Sequence, residues 1–251
     1  MILPWVQAGG WGLVAGSALF LGALVGYFVA VPQRWIALIM AFGAGVLISA
    51  LAFDLMDEAY AQGSLAAVAV GFMLGALIFT LANRGLAHYG AKHRKRSTGQ
   101  QPEEAGTAGS GLAIALGALL DGIPESIVIG VSLIGGGSVS WVAVVAVFLS
   151  NFPEGLSSAA GMKRAGRSPA YIFGTWGGIT MVSAVAAVLG YTVFSQFSAD
   201  IIAGITAVAA GAILAMLADT MLPEAFEYAH DYTGLVVAFG FLAAFTLTKL
   251  A

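Results

Sequence analysis

Two short stretches, Asp121-Gly122-Ile123-Pro124-Glu125-Ser126 and Ser150-Asn151-Phe152-Pro153-Glu154-Gly155, align with each other and decide how the chain is read. Each sits inside a long apolar run, Gly111–Ile134 and Val139–Met162, of the length that crosses a bilayer as a helix. On a helix Asp121 and Glu125 are four residues apart and share a face, as do Ser150 and Glu154, with Asn151 flanking the second face. An acid at mid-span is costly unless it pairs, lines water, binds a cation or carries a proton. Pro124 cannot donate to the carbonyl of Leu120, nor Pro153 to that of Leu149, so each proline frees a main-chain oxygen near the acids and is expected to kink its helix. Three carboxylates, a hydroxyl and an amide make an all-oxygen set. Such a set favours Mn²⁺ or Mg²⁺ and tolerates Fe²⁺ or Zn²⁺. No Lys or Arg is expected at that depth, so a metal cation is the expected counter-charge. An acid pair sharing one proton, or a proton relay without metal, would use the same side chains.

The same pattern extends outward. Six more apolar runs flank the two, at Trp5–Val31, Trp35–Tyr60, Leu65–Ala87, Ala170–Gln196, Ile201–Tyr228 and Gly234–Leu250, giving eight expected spans. The second, ending Phe53-Asp54-Leu55-Met56-Asp57-Glu58-Ala59-Tyr60, aligns without gaps on the seventh, which ends Asp219-Thr220-Met221-Leu222-Pro223-Glu224-Ala225-Phe226, at an offset of 166 residues. Five spans separate the aligned starts, so the copies are expected to run in opposite directions, as are spans 4 and 5. Three spans, a central two and three more make an inverted-repeat layout. In transporters, such layouts hold substrate where the repeats meet.

Composition agrees. Of 251 residues, 59% are hydrophobic and 9% charged, against about 25% charged in soluble domains, so a water-soluble surface cannot be built. With no cysteine, disulfides, thiolate metal sites and cysteine catalysis are excluded. The net charge of −3 gives no footprint for nucleic acid. The first run lacks a basic n-region and is too long for a signal peptide, so it is expected to be a span. Nine of the ten Lys and Arg residues fall on one side of the eight-span layout, which places both termini outside and the 88–110 loop in the cytoplasm. That loop is basic, then acidic, then Gly/Ser-rich, and is expected to be disordered. Residues 1–251 are read as a single transmembrane transport domain.

The paired Pro-Glu motifs, the basic loop after span 3 and Pro223-Glu224-Ala225 together resemble the ZIP (Zrt/Irt-like) metal permeases, bacterial members in particular, over essentially the whole chain. The resemblance implies an eight-span 3+2+3 fold, a metal site on spans 4 and 5, and divalent metal as substrate (Zn, Mn, Fe or Cd), with no organic cofactor. It also implies a multi-pass protein of the bacterial inner membrane whose partners are metal ions and the lipid bilayer; it admits a homodimer. Glu125 and Glu154 carry over directly. Asp121 stands where the family has His, Gly122 where it has Asn, and Ser150 and Asn151 where it has other ligands. One well-formed site is therefore expected, from Asp121, Glu125, Ser150, Asn151 and Glu154, and a second metal lacks its ligand at Gly122.

Further polar groups are assigned to the pathway: Asp54 and Glu58 for capture outside, Asp219, Glu224 and His230 for release inside. Solvated helix ends are the plain alternative, and the better one for Asp57, Glu227 and Asp231. His88 and His93 are too few for a strong metal site in the loop. Two other classes compete with a carrier. An intramembrane hydrolase would need a nucleophile beside a base; no His-Glu-x-x-His, no Gly-x-Ser-x-Gly and no histidine in the central spans is present. A homologue that binds metal without moving it uses the same residues as a carrier.

Overall fold

The computed structural model describes residues 2–97, 100–103, 110–136 and 139–250. All regular structure among them is helical: α1 (Pro4–Phe28), α2 (Gln33–Ala50), α3 (Met56–Gln62), α4 (Leu65–His88), α5 (Ser110–Val131), α6 (Trp141–Arg164), α7 (Pro169–Phe194), α8 (Ala199–Met216), α9 (Leu222–Ala229) and α10 (Thr233–Leu250). Short sequence signals set the starts. Pro4 and Pro169 occupy first-turn positions, where a missing N–H costs nothing. The Ser64, Ser140 and Ser168 hydroxyls accept from the amides of Ala67, Ala143 and Tyr171, each at 3.2 Å.

Seven helical stretches among the described residues are long and apolar enough to cross a membrane, so the chain is an all-α, multi-pass membrane protein. The seventh, Ala199–Leu250, is 52 residues long and contains α8, α9 and α10. It is interrupted at His230, whose φ of 42° ends α9.

Which residues meet tells how neighbouring helices run. Asn151 donates to the carbonyl of Ala15 and Gly26 abuts Leu156, so α1 and α6 are parallel. Gly71 meets Gly204 and Gly75 meets Val208, so α4 and α8 are parallel. Gly45 meets Val237 and Asp54 meets Thr248, so α2 and the π segment that extends it run parallel to α10. The phenol of Tyr171 donates to Gly111 and Gly130 abuts Ala187, so α5 and α7 are parallel. By contrast α1 and α7 are antiparallel, with Gly9 beside Val188 and Phe20 beside Phe173.

These contacts are made largely by Ala and Gly, with Ala8, Ala18, Ala23, Ala41, Ala44 and Ala203 fully buried. Lipid tails are as apolar as a leucine side chain, so helix association depends on close van der Waals approach, which small residues permit. Larger apolar side chains (Val70, Met73, Leu77, Ile78 and Leu81 of α4 among them) face outward.

Helices α2 and α8 each continue into a single π turn, at Leu51–Leu55 and Leu217–Met221, before α3 and α9. The two π turns are 166 residues apart, the offset at which spans 2 and 7 align in sequence. Such turns insert a residue into the helical ladder and are found often at functional positions.

The expected free loop at 88–110 differs. Ala91–His93 form a turn of 3₁₀ helix, and Arg94, Lys95, Ser97 and Gln101 are buried. Residues 91–97 with 100–103 form a strap folded back among the helix ends. The remainder of that expectation, residues 98–99 and 104–109, lies outside the described residues, as do residues 137–138.

Candidate metal site

Asp121, Glu125 and Glu154 are all buried between α5 and α6, which hold Pro124 and Pro153 within unbroken helices. Asp121 is eleven residues into α5 from Ser110, and Glu154 ten residues before Arg164. At 1.5 Å per residue both lie about 15–17 Å from the strap end of their helices, near half of a bilayer core of about 30 Å.

The expectation that no basic residue reaches this depth is overturned. The Arg94 guanidinium grips Asp121 with two bonds, Nε to Oδ2 at 2.9 Å and Nη2 to Oδ1 at 2.8 Å. The Lys95 ammonium lies 2.7 Å from Glu154 Oε1 and 3.4 Å from Asp121 Oδ2. Arg94 is 1% exposed and Lys95 5%, so these pairs are shielded from water. The physical reason is reach: a long side chain on a strap dipping into the bundle carries charge well below the helix ends. Loop membership was the only sequence signal, and it placed Lys92–Arg96 at the membrane surface.

Glu125 is different. It is 1% exposed, and neither carboxyl oxygen has a hydrogen-bond partner among the described residues. It borders a cavity of about 10 Å³ lined by Leu47, Leu51, Leu55, Val147 and Ile213, at the lower bound for one water. Glu154, Lys95 and Asp121 are close enough for their charges to act on it. A carboxylate in such a place needs a proton or a cation.

The other expected ligands are turned to local partners. Ser150 Oγ donates to the carbonyl of Val147 at 2.9 Å, and Asn151 Nδ2 to that of Ala15 at 3.1 Å. As arranged, no three Asp, Glu or His side chains among the described residues are placed to hold a metal ion.

Of the five pathway residues, Glu224 joins the strap. It is buried, and its Oε1 accepts from Ser97 N and Ser97 Oγ, both at 3.0 Å, and lies 3.2 Å from Ser157 Oγ, while its Oε2 lies 3.2 Å from Arg96 Nη1. Arg96 also pairs with Glu227, which is therefore more than a solvated helix end. Asp219 is exposed in the second π turn, within reach of the Arg94 charge. Asp54, in the first π turn, accepts from Thr248 at 3.3 Å, and Glu58 accepts from Gln62 at 3.0 Å; both lie at the opposite end of the bundle from the strap. His230 is exposed and set edge-on against Phe226, outside the cluster.

The strap is held by its backbone as well as its charges. Ser157 Oγ donates to the carbonyl of Lys95 at 2.6 Å, and Gln101 Nε2 lies 2.9–3.1 Å from the carbonyls of Arg94, Arg96 and Ser158. None of Arg94, Lys95, Ser97, Gln101 or Ser157 was assigned a site role from sequence. The seat itself needs glycine: a Cβ on Gly161 would fall 2.0 Å from the carbonyl oxygen of Arg96, and one on Gly117 2.5 Å from Arg94 Cδ.

No protein-family model matches the chain. A curated protein of Arabidopsis thaliana, described as "Putative zinc transporter", is 30% identical over 224 residues, which cover 86% of this chain and 34% of that protein. The chain thus spans about a third of the length of the curated relative it matches.

Proposed function

We propose that this chain carries divalent metal ions of the zinc, manganese or iron class across a membrane into the cytoplasm, using the carboxylates of Asp121, Glu125 and Glu154. The observation that carries the proposal is Glu125: a buried carboxyl on α5, without a hydrogen-bond partner among the described residues and within range of the charges of Glu154 and Asp121. Similarity to a protein described as a zinc transporter, over most of this chain, supports the substrate class.

The membrane layout belongs to the same proposal. Eight spans in a 3+2+3 inverted repeat, as in the ZIP permeases, put both termini outside and the strap in the cytoplasm. The parallel and antiparallel pairings of the helices, the break at His230 and the matched π turns support this layout. The clustering of Lys and Arg supports the orientation. In it, Asp54 and Glu58 serve entry, and Asp219 and Glu224 serve exit; Ser150 and Asn151 would have to turn from their carbonyl partners to become ligands.

The test is uptake of Zn²⁺, Mn²⁺, Fe²⁺ and Cd²⁺ into proteoliposomes, with Glu125→Ala and Glu154→Ala as controls. The wild type is expected to move at least one ion, and each substitution to lower the flux by about tenfold or more, the scale of losing one buried charged ligand. Equal flux in all three proteins would refute the site. A second reading, a homologue that binds metal without transporting it, is favoured by the Arg94 and Lys95 pairs that occupy two of the acids. Metal binding without flux would select it.

A further inference from the structure

The two strap cations are held in unlike ways. Arg94 has four hydrogen bonds: two to Asp121, one to Asn83 Oδ1 at 2.7 Å and one to the carbonyl of Ala91 at 3.2 Å. It is pinned to both the turn that carries it and the acid it meets. Lys95 touches the acids through a single point charge on a flexible stem, 2.7 Å from Glu154 Oε1 and 3.4 Å from Asp121 Oδ2, with no second anchor like those of Arg94 among the described residues. A planar guanidinium bound at two points is hard to replace, whereas an ammonium ion is a compact charge that another cation can substitute.

Charge counting separates their roles further. With Arg94 retained, Asp121 is neutralised and only Glu125 and Glu154 remain to be balanced. Two carboxylates match one divalent cation. Lys95 alone leaves one of them without a counter-charge, which fits a Glu125 without a hydrogen-bond partner among the described residues.

Resting on the metal reading above, we infer that Lys95 is a tethered counter-ion of the substrate site. Its ammonium occupies the Glu154 carboxylate that a divalent ion must take together with Glu125. Asp121 keeps Arg94 through the exchange and so serves the site by holding the fixed cation of the strap beside the exchanged pair. Metal entry expels Lys95 and loosens the strap, and strap docking sets the apparent affinity. When the binding-competent state is a fraction of the population, affinity falls by that fraction.

The chain has no cysteine, so a single Ser97→Cys substitution reports docking through its rate of maleimide labelling in the full-length protein in detergent or nanodiscs. Mn²⁺ binding is followed by its EPR signal. Two variants undock the strap by independent routes: Lys95→Gln removes the charge, and Gly161→Ala puts a methyl against the Arg96 carbonyl without altering any acid. Both are expected to bind Mn²⁺ about tenfold more tightly than wild type and to label rapidly without metal. Lys95→Arg stays protected, and Glu125→Gln loses binding. In the wild-type background, Mn²⁺ accelerates labelling. Equal Mn²⁺ affinity in wild type and both undocked variants, or labelling that ignores Mn²⁺, overturns the exchange while leaving the metal reading intact. No Mn²⁺ or Zn²⁺ bound by wild type or by either undocked variant overturns both.

Discussion

The runs α2–α3 and α8–α9 align without gaps and share a backbone pattern, yet their acids meet opposite fates. Both contain a π turn at the same register. In both, one glycine seats a neighbouring helix: a Cβ on Gly45 would fall 2.0 Å from the Val237 carbonyl oxygen, and one on Gly211 1.9 Å from that of Phe72. The aligned glutamates then diverge. Glu58 is half-buried and bonded only to Gln62, four residues on, whereas Glu224 is buried under the strap with Arg96, Ser97 and Ser157. Both runs have a π turn and a seating glycine but only one meets the strap, so among the described residues ion pairs close one end of the bundle and not the other. Asymmetry in this protein comes from eleven residues of connecting chain (91–97 and 100–103) acting on two like scaffolds.

The largest effect tests the shared part. Gly45→Leu and Gly211→Leu should each cost more than about 4 kcal/mol and leave little folded protein, since the obstacle is a backbone carbonyl rather than a movable side chain. Size-exclusion recovery in detergent measures this, and a well-folded variant at either position would break the equivalence of the two glycines.

Next comes the part that differs. Glu224→Ala leaves Ser97 N without its acceptor and takes one of two carboxylates from Arg96, and should cost about 3–5 kcal/mol, the range for breaking a buried pair from one side. Glu58→Ala should stay within about 0.5 kcal/mol. Thermal melts of the two variants sharpen the contrast; equal shifts would abolish it.

The smallest effect is a pH dependence of docking. Partial burial, with Arg96 and Lys92 nearby, holds the His93 imidazole below its ordinary value. Its neutral form is therefore favoured in the docked strap. The corresponding stability is full above the ordinary imidazole value near 6.5 and is lost as pH falls from there through the lowered one. Labelling of Ser97→Cys should accelerate modestly as pH falls through that window, and His93→Gln should flatten the response. A slope unchanged by the substitution would assign the effect elsewhere.

Much of this architecture could be read from local pattern. Apolar runs such as Leu65–Ala87 correspond closely to helices because backbone groups in lipid must be satisfied within the segment. The 166-residue offset reappears in the π turns, which open on the matching pairs Leu51-Ala52 and Leu217-Ala218. The burial of Asp121, Glu125 and Glu154 followed from their position at mid-run.

What local pattern could not carry was the fate of a charge across a long separation. Lys92–Arg96 obeys a surface rule in sequence, and nothing nearby marks Arg94 and Lys95 as inward-pointing. Their partners, Asp121 and Glu154, lie 27 and 59 residues away and are brought near only when α5 and α6 pack together. The sequence by itself therefore determined a helical membrane protein with acids in the middle of apolar runs, since periodicity and burial cost are properties of each segment alone. Only the tertiary structure decided which cation those acids hold, because pairing depends on the packing of helices distant along the chain.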